Sequence, residues 1–399
     1  MNRYIILTPA LGNMGGSQMY TANKCIYLEN HGWEVNVFYY LDFPIKIKSL
    51  EKHKSNLIPD LSYGFYFIPS KRRREILNRI KAFVRKDDNV IVETHLLSLA
   101  NWGELVAEEV GGRHIINFLE EGVPVFNDRQ SAFFEFKLKN WEFINAHEMN
   151  LHRVFKEHFK EDFLQYEHRI DFMCTNVVDE SDDTHYDFKV SDYTILSIGR
   201  LDKPYVVTMV EEIKKFVSEF SQQTFNLIFV GGSNSGEEEN RIPAVFHEFG
   251  NVNVYMLGFT FPVPLSIIQS ADVGIASSNS ILVTADLGIP TIAVDMYDYN
   301  AIGVYGYTTQ NKFLRTDEPV IPISTLLKDV LLADMYPKSE QSSASYSDAM
   351  EKEFEKELAF LKKSSGNDKV YYNVDAIYSR KKHLFSHLKW YVHEKLGVK

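Results

Sequence analysis

Short apolar runs alternate with amphipathic stretches along this chain, and polar or glycine-rich turns separate them. Tyr4–Leu7 reads as a buried strand, Gly12-Asn13-Met14-Gly15-Gly16-Ser17 as a turn, and Gln18–His31 as a helix. The helical spacing turns Met19, Ala22, Ile26 and Leu28 inward. Gly32 closes that helix and Trp33–Tyr39 alternates as the next strand, which makes a βαβ unit with a glycine loop at its carboxyl edge. Asn89–His95 is a strand, Trp102–Val110 a helix stopped by Gly111-Gly112, and His114–Gly122 a strand with acids at its end. Residues 131–163 read as helical and rich in aromatics, and Ile170–Asp179 as a strand and turn. The acidic, polar stretch Glu180–Asp187 reads as a linker.

A second series follows. Its strands are Tyr193–Ile198, Asn226–Val230, Asn251–Leu257, Val273–Ala276 and Thr291–Val294. Val206–Phe220 and Pro264–Ser270 are its helices, and glycine-rich turns fall at Gly199–Pro204 and Gly231–Gly236. Ser277, Ser278, Asn279 and Ser280 are all N-cap types, so a helix of about two turns is predicted there, ending at Gly288 ahead of Pro290. Such a unit aims unpaired N–H groups at the carboxyl edge of a parallel sheet, where anions bind. Ala349–Lys363 reads as a charged helix and residues 378–399 as a basic, aromatic one. The expected fold class is α/β, with two βα-repeating halves that meet near residue 180.

Composition narrows the function. A chain of 399 residues, 45% hydrophobic and 24% charged, can bury sizeable cores. A net charge of −11 disfavours nonspecific nucleic-acid binding. Cys25 and Cys174 have neither metal-like nor CxxC spacing, which suits a reduced cytoplasm. His147, His152 and His158 lack clear ligand spacing, so no metal is expected. No run reaches the roughly 18 apolar residues of a spanning helix. Lys71–Lys86 is basic and amphipathic, with Ile76, Leu77, Ile80, Phe83 and Val84 as its apolar stripe. It reads as a helix packed on the sheet with a solvated face, or as a contact with a phosphate-bearing acceptor or with anionic lipid headgroups at the cytoplasmic face of a membrane. The first glycine loop misses the GxGxxG spacing, which disfavours NAD. His95, Glu120 and Glu121 fall where a parallel sheet gathers its ligands.

The ordered set of motifs carries a resemblance. Gly15-Gly16, Asn176-Val177-Val178-Asp179, Ser197-Ile198-Gly199-Arg200-Leu201-Asp202-Lys203, Val230-Gly231-Gly232, Leu257-Gly258-Phe259, Ser270-Ala271-Asp272-Val273 and Gly288-Ile289-Pro290-Thr291-Ile292-Ala293 span nearly the whole chain. Together they resemble nucleotide-sugar-dependent glycosyltransferases of the two-Rossmann (GT-B) type, which implies two Rossmann-like domains facing across a cleft, at residues 1–179 and 180–377, with the 378–399 helix crossing back onto the first or binding a membrane surface. The similarity is greatest to the large retaining family that builds bacterial polysaccharides and glycolipids. The resemblance implies that Arg200 and Lys203 grip the donor diphosphate, whose charge grows in the transition state. It places Gly199, Ser278, Asn279, Ser280 and Thr284 around that diphosphate, Gly231, Gly232, Gly258 and Phe259 by the nucleoside, and Gly15 and Gly16 by the diphosphate and acceptor.

Where family members place a histidine beside the transferred sugar, this sequence has Glu120. An acid there can act as a base, so stereochemistry stays open, with retention the family's habit. Glu120, His95, Arg200 and Lys203 form the expected catalytic set, with no cofactor and no metal. The family's second, ribose-binding glutamate is replaced by Val283, with Asp286 as an alternative, and its lysine-glycine pair by Pro204-Tyr205. The resemblance implies transfer of a sugar from a nucleotide-diphosphate donor to a glycan or lipid-linked acceptor, in cell-surface polysaccharide or glycoconjugate synthesis. A noncatalytic partner of a transferase and a nucleotide-sugar epimerase are the alternatives.

Overall fold

The computed structural model describes residues 1–12, 15–119, 127–146, 148–155, 162–167, 170, 178–179, 186–339, 346–364 and 370–377. Glu120, Glu121, His147, His158, Cys174, the linker at 180–185 and the 378–399 helix lie outside the described residues. The chain divides into two compact units: Met1–Asn13, Tyr20–Met173 and Glu351–Lys399 form one, and Met14–Met19 and Cys174–Met350 the other.

The first unit holds β1 (Asn2–Ala10), α1 (Gly16–Asn30) from Tyr20 onward, β2 (Trp33–Leu41), α2 (Ser70–Lys81), β3 (Asn89–His95), α3 (Ala100–Val110), β4 (Arg113–Asn117), α4 (Asp128–Lys139), β5 (Phe143–Ile144) and α5 (Glu148–Phe155). Its sheet has the order β2-β1-β3-β4-β5 and every pair is parallel. The strands are near-continuous apolar runs because both faces of a parallel sheet are covered. Three short 3-10 segments bridge β2 and α2. Gly111 takes φ 66° to end α3, and an Asn127–Gln130 capping box opens α4.

Two expectations change here. Residues 131–163 are not one helical stretch, because Phe143–Ile144 pairs with β4 as the fifth strand. In α1, Ala22 and Leu28 are buried as expected and Tyr20, Lys24 and Tyr27 join them, but Ile26 is 42% exposed. A buried lysine in the stripe disguised the true face.

The second unit holds β6 (Val178–Asp179), β7 (Tyr193–Ile198), α6 (Tyr205–Glu219), β8 (Phe225–Val230), α7 (Glu238–Phe246), β9 (Val252–Gly258), β10 (Val263–Pro264), α8 (Leu265–Gln269), β11 (Val273–Ala276), α9 (Ser280–Ala285), β12 (Thr291–Val294), β13 (Ala301–Val304) and α10 (Ile323–Leu331). Its main sheet runs β13-β12-β11-β7-β8-β9, parallel except for β13 at one edge. The strand order reverses between β7 and β11, the position at which doubly wound sheets open a crevice at their carboxyl ends. Apolar side chains cover both faces: Met209, Phe216 and Leu327 on one, Ile228, Ile267 and Ile268 on the other.

The last described helix, α11 (Tyr346–Ser364), carries the chain back. The return to the first unit begins at Glu351, inside α11, not at 378 as the sequence suggested. Phe354, Leu358 and Leu361 make the buried stripe of α11, and Phe354 packs against Tyr27 at 5.2 Å between ring centroids.

Candidate functional site

The carboxyl ends of β7, β8, β9 and β11 bring most of the expected donor residues of the second unit together. After β7, Gly199 donates its N–H to Val230 O at 2.9 Å, and Leu201 N–H reaches Gly232 O at 3.0 Å. A Cβ on Gly231 would stand 1.8 Å from Gly199 O, so the turns after β7 and β8 interlock only because position 231 is glycine. Gly231 N–H then reaches Gly258 O at 2.7 Å, at the end of β9. The Phe259 ring lies 2.6 Å from where a Gly232 Cβ would be. From the other side Ser280 approaches, its Oγ 3.9 Å from the corresponding point on Gly199. Gly199, Gly231, Gly232, Gly258, Phe259 and Ser280 therefore share one edge of one unit.

Arg200 lies in this cluster, its side chain 37% exposed. Its Nε donates to Asp202 Oδ1 at 2.9 Å, and Asp202 Oδ2 accepts from Asn234 Nδ2 at 2.8 Å. Lys203, half-buried, follows on the same turn, and α6 begins just beyond, at Tyr205. Its 15 residues direct a full helix N-terminus at this edge. Tyr205 is buried with its hydroxyl near Gly199, and burial pushes the phenol up to about 12.

The sequence did not single out Asp202, Asn234 or Glu239. Glu239 accepts from Ser233 N–H at 2.7 Å and from the Ser233 hydroxyl, closing the Gly231–Gly236 turn. Burial pushes this carboxyl up, but the two Ser233 bonds outweigh it and hold it below its usual range. Their only signal in sequence was the density of polar side chains in glycine-rich turns.

The stretch from Ser277 to Gly288 differs from expectation in detail. Ser277 is buried and donates to Val294 O at 2.8 Å. Ser278 adopts φ 64° and its N–H bonds Lys312 O at 2.8 Å. The helix has six residues, and its N-cap Asn279 makes no side-chain cap bond. Helix α6, with 15 residues, is the longer of the two and likewise has no side-chain cap bond.

Thr284 is 1% exposed and its hydroxyl engages Thr291 at 2.7 Å, so its expected place beside the diphosphate is corrected to a packing role. A Cβ on Gly274 would lie 2.7 Å from Thr284 Oγ1, which shows how closely α9 lies on β11. Val283, where the family's acid would fall, is in the core at 2% exposure. Asp286 is half-buried; burial pushes its carboxyl up and Lys312 opposes that shift.

In the first unit the carboxyl edge is different. His95 is fully buried, with Nδ1 3.1 Å from Thr8 Oγ1 and Nε2 3.0 Å from Glu93 Oε1. Both ring nitrogens of His95 are thus engaged inside the fold. Glu93 also accepts from Tyr4 at 2.6 Å, from Asn117 at 2.8 Å and from Lys24. Lys24 reaches Glu357 of α11 as well. Burial pushes Glu93 up, yet Lys24 and His95 outweigh it and hold it well below the carboxylate range. Glu357 shares the same ammonium with Glu93, and burial pushes it up to about 7. Gly15 and Gly16 open α1. A cavity of about 450 Å³ lies at the opposite, amino edge of this sheet, beside Trp33, Arg113, Lys137, Glu142 and Leu358, where Glu142 pairs with both Arg113 and Lys137. Among the described residues no helix is long and apolar enough to cross a membrane.

No protein-family model and no curated protein matches this sequence. Solved structures do match in fold. A glycosyltransferase from Rickettsia africae has a TM-score of 0.60 at 16% identity, over 92% of this chain and 100% of its own. The pneumococcal O-GlcNAc transferase GtfA, in complex with UDP and GlcNAc, has 0.52 at 10% identity, over 92% and 99%. Anabaena HepE, in complex with UDP and glucose, has 0.51 at 12% identity, over 90% and 99%. At these identities the shared property is the fold: this chain has the GT-B fold, an α/β chain of two Rossmann-like units.

Proposed function

We propose that the chain is a glycosyltransferase that moves a sugar from a nucleotide-diphosphate donor to a glycan or lipid-linked acceptor. The observation that carries this reading is the edge at the β7/β11 reversal, where Arg200 stands beside two interlocked glycine turns and the N-terminus of α6. Two of the fold relatives were solved with UDP and a sugar bound, which supports a donor of that class.

In this reading Arg200 and Lys203 neutralise the charge that builds on the departing diphosphate, without a metal. The glycines at 199, 231 and 232 let backbone approach the ligand. Gly258 and Phe259 border the nucleoside, Ser278, Asn279 and Ser280 supply polar contacts, and Gly15 and Gly16 serve the diphosphate and acceptor. Glu120 is the proposed catalytic acid or base, with retention the first expectation. The setting is the cytoplasm or the cytoplasmic surface of a membrane, in polysaccharide or glycoconjugate synthesis.

Thermal unfolding against a panel of nucleotide sugars and nucleotides tests the reading. A ligand present at one hundred times its Kd stabilises the fold by about 2.7 kcal/mol. The expected result is an upward shift with at least one nucleotide diphosphate, absent in Arg200→Ala. A wild-type protein that responds to none of them would sink the proposal.

A further inference from the structure

We infer that Asp202 is a positioning residue of this site: it holds one edge of the Arg200 guanidinium and ties the turn after β7 to the turn after β8, so that the outer edge of the guanidinium is presented to a diphosphate. The inference rests on the nucleotide-sugar reading above and deepens it.

The geometry is that of a bridge. Asp202 uses both carboxylate oxygens, one for Arg200 Nε at 2.9 Å and one for Asn234 Nδ2 at 2.8 Å. A guanidinium has five donors in a rigid fork, and fixing Nε fixes the plane of the other four. Among the described residues the hydrogen bond and ion pair of Arg200 both go to Asp202 through Nε, which leaves its two terminal nitrogens for a ligand. Bidentate recognition of phosphate needs those two nitrogens side by side.

Asn234 is not a loose partner. Its turn is closed by Glu239 through Ser233, whose hydroxyl also accepts from Gly236 N–H at 2.9 Å, and it is locked against Gly199 by the backbone bonds already described. The side-chain bridge thus anchors a long, flexible arginine to the most constrained backbone of the site. Pre-organisation of this kind raises affinity by removing an ordering cost at the moment of binding. The carboxylate also offsets part of the positive charge, and the test separates the two effects.

Calorimetric titration with UDP, and with inorganic pyrophosphate as a base-free probe, is made on the full chain. Arg200→Ala weakens UDP binding by about a hundredfold and Asp202→Ala by about tenfold, within the range for losing a charge-assisted hydrogen bond. Both keep the wild-type melting temperature. Asp202→Asn binds more weakly than wild type, because a neutral amide oxygen is a poorer acceptor for the Arg200 guanidinium than a carboxylate. The swap D202N/N234D restores both hydrogen bonds, with the carboxylate moved to position 234, and returns affinity to within about threefold of wild type.

A swap that rescues nothing overturns the inference. So does an Asp202→Asn variant that binds UDP more tightly than wild type, because charge would then outweigh position. An Asp202→Ala variant that binds like wild type while Arg200→Ala fails also overturns it, and leaves the functional reading standing. Wild-type protein that binds neither probe defeats that reading instead.

Discussion

In the first unit, ionised side chains lie inside the fold. Lys24, Glu93 and Glu357 are each at most 2% exposed and meet between α1, β3 and α11. Glu104, His114 and Lys137 form a second buried set, in which Glu104 also accepts Tyr372 N–H at 2.7 Å. In the second unit the buried carboxylates Glu212 and Asp295 take their bonds from backbone, from Ser324 and from the exposed Lys215. Its Arg200 stands half-exposed at the carboxyl edge. Two sheets of related topology therefore use charge differently. Buried charges satisfied by one another fix the position of an element, at a desolvation cost, whereas a half-exposed cation contributes little to stability and is left for a ligand.

The strongest way to break this contrast is Lys24→Met. It leaves Glu93 and Glu357 facing each other in the core, and urea unfolding should show a loss of about 3–5 kcal/mol. A loss below about 1 kcal/mol would remove the distinction between the units. Arg200→Ala is the counterpart in the second unit. Stability should stay within about 0.5 kcal/mol of wild type while UDP affinity falls by a large factor.

A pH series sharpens the point. Glu357 holds its proton up to about 7 in the fold against an ordinary 4.5. The folded state therefore binds more protons in that window, and this contribution to stability is lost as pH rises through it. His114 has the opposite sign: burial and Lys137 push it down to about 4, so the unfolded chain takes the proton first and stability rises with pH between about 4 and its ordinary 6.5. The two trends offset each other in wild type. The difference between Glu357→Gln and wild type isolates the first, and the variant should gain relative stability from about pH 5 to about pH 8. A flat difference would show that Lys24 serves both carboxylates equally. The smallest effect expected is for Ile26→Lys, within about 0.5 kcal/mol, since that side chain is 42% exposed.

Ile26 also shows where sequence reading fails. Strands were legible almost to the residue, as at Asn89–His95, Tyr193–Ile198, Val273–Ala276 and Thr291–Val294, because a parallel strand is an uninterrupted apolar run bounded by turns. Helix α1 was found and Ala22 and Leu28 were placed inward correctly, but Ile26 was not, since a stripe containing Lys24 has no simple hydrophobic period. Helix α7 escaped notice: Pro243 sits inside it and charges fill its first turn. At the candidate site, glycines and Arg200 were legible because close backbone approach and anion contact demand those residue types. Asp202 and Asn234 were not, because their importance lies in a contact between turns 32 residues apart, and Glu239 was not, because nothing in its sequence setting marks its bonds to Ser233 six residues back. The burial of His95 was invisible for the same reason: its partner Thr8 is 87 positions away.

Helix α11 has a consequence for how the molecule is made. A ribosome releases β1 through α5 well before it reaches Glu351, with Cys174–Met350 of the second unit translated in between. Until then the nascent first unit holds Lys24 and Glu93 without the third charge of their cluster, and without Phe354, Leu358 and Leu361 over the neighbouring surface. The domain begun first is finished last, while the one synthesised between its pieces can close as soon as it emerges.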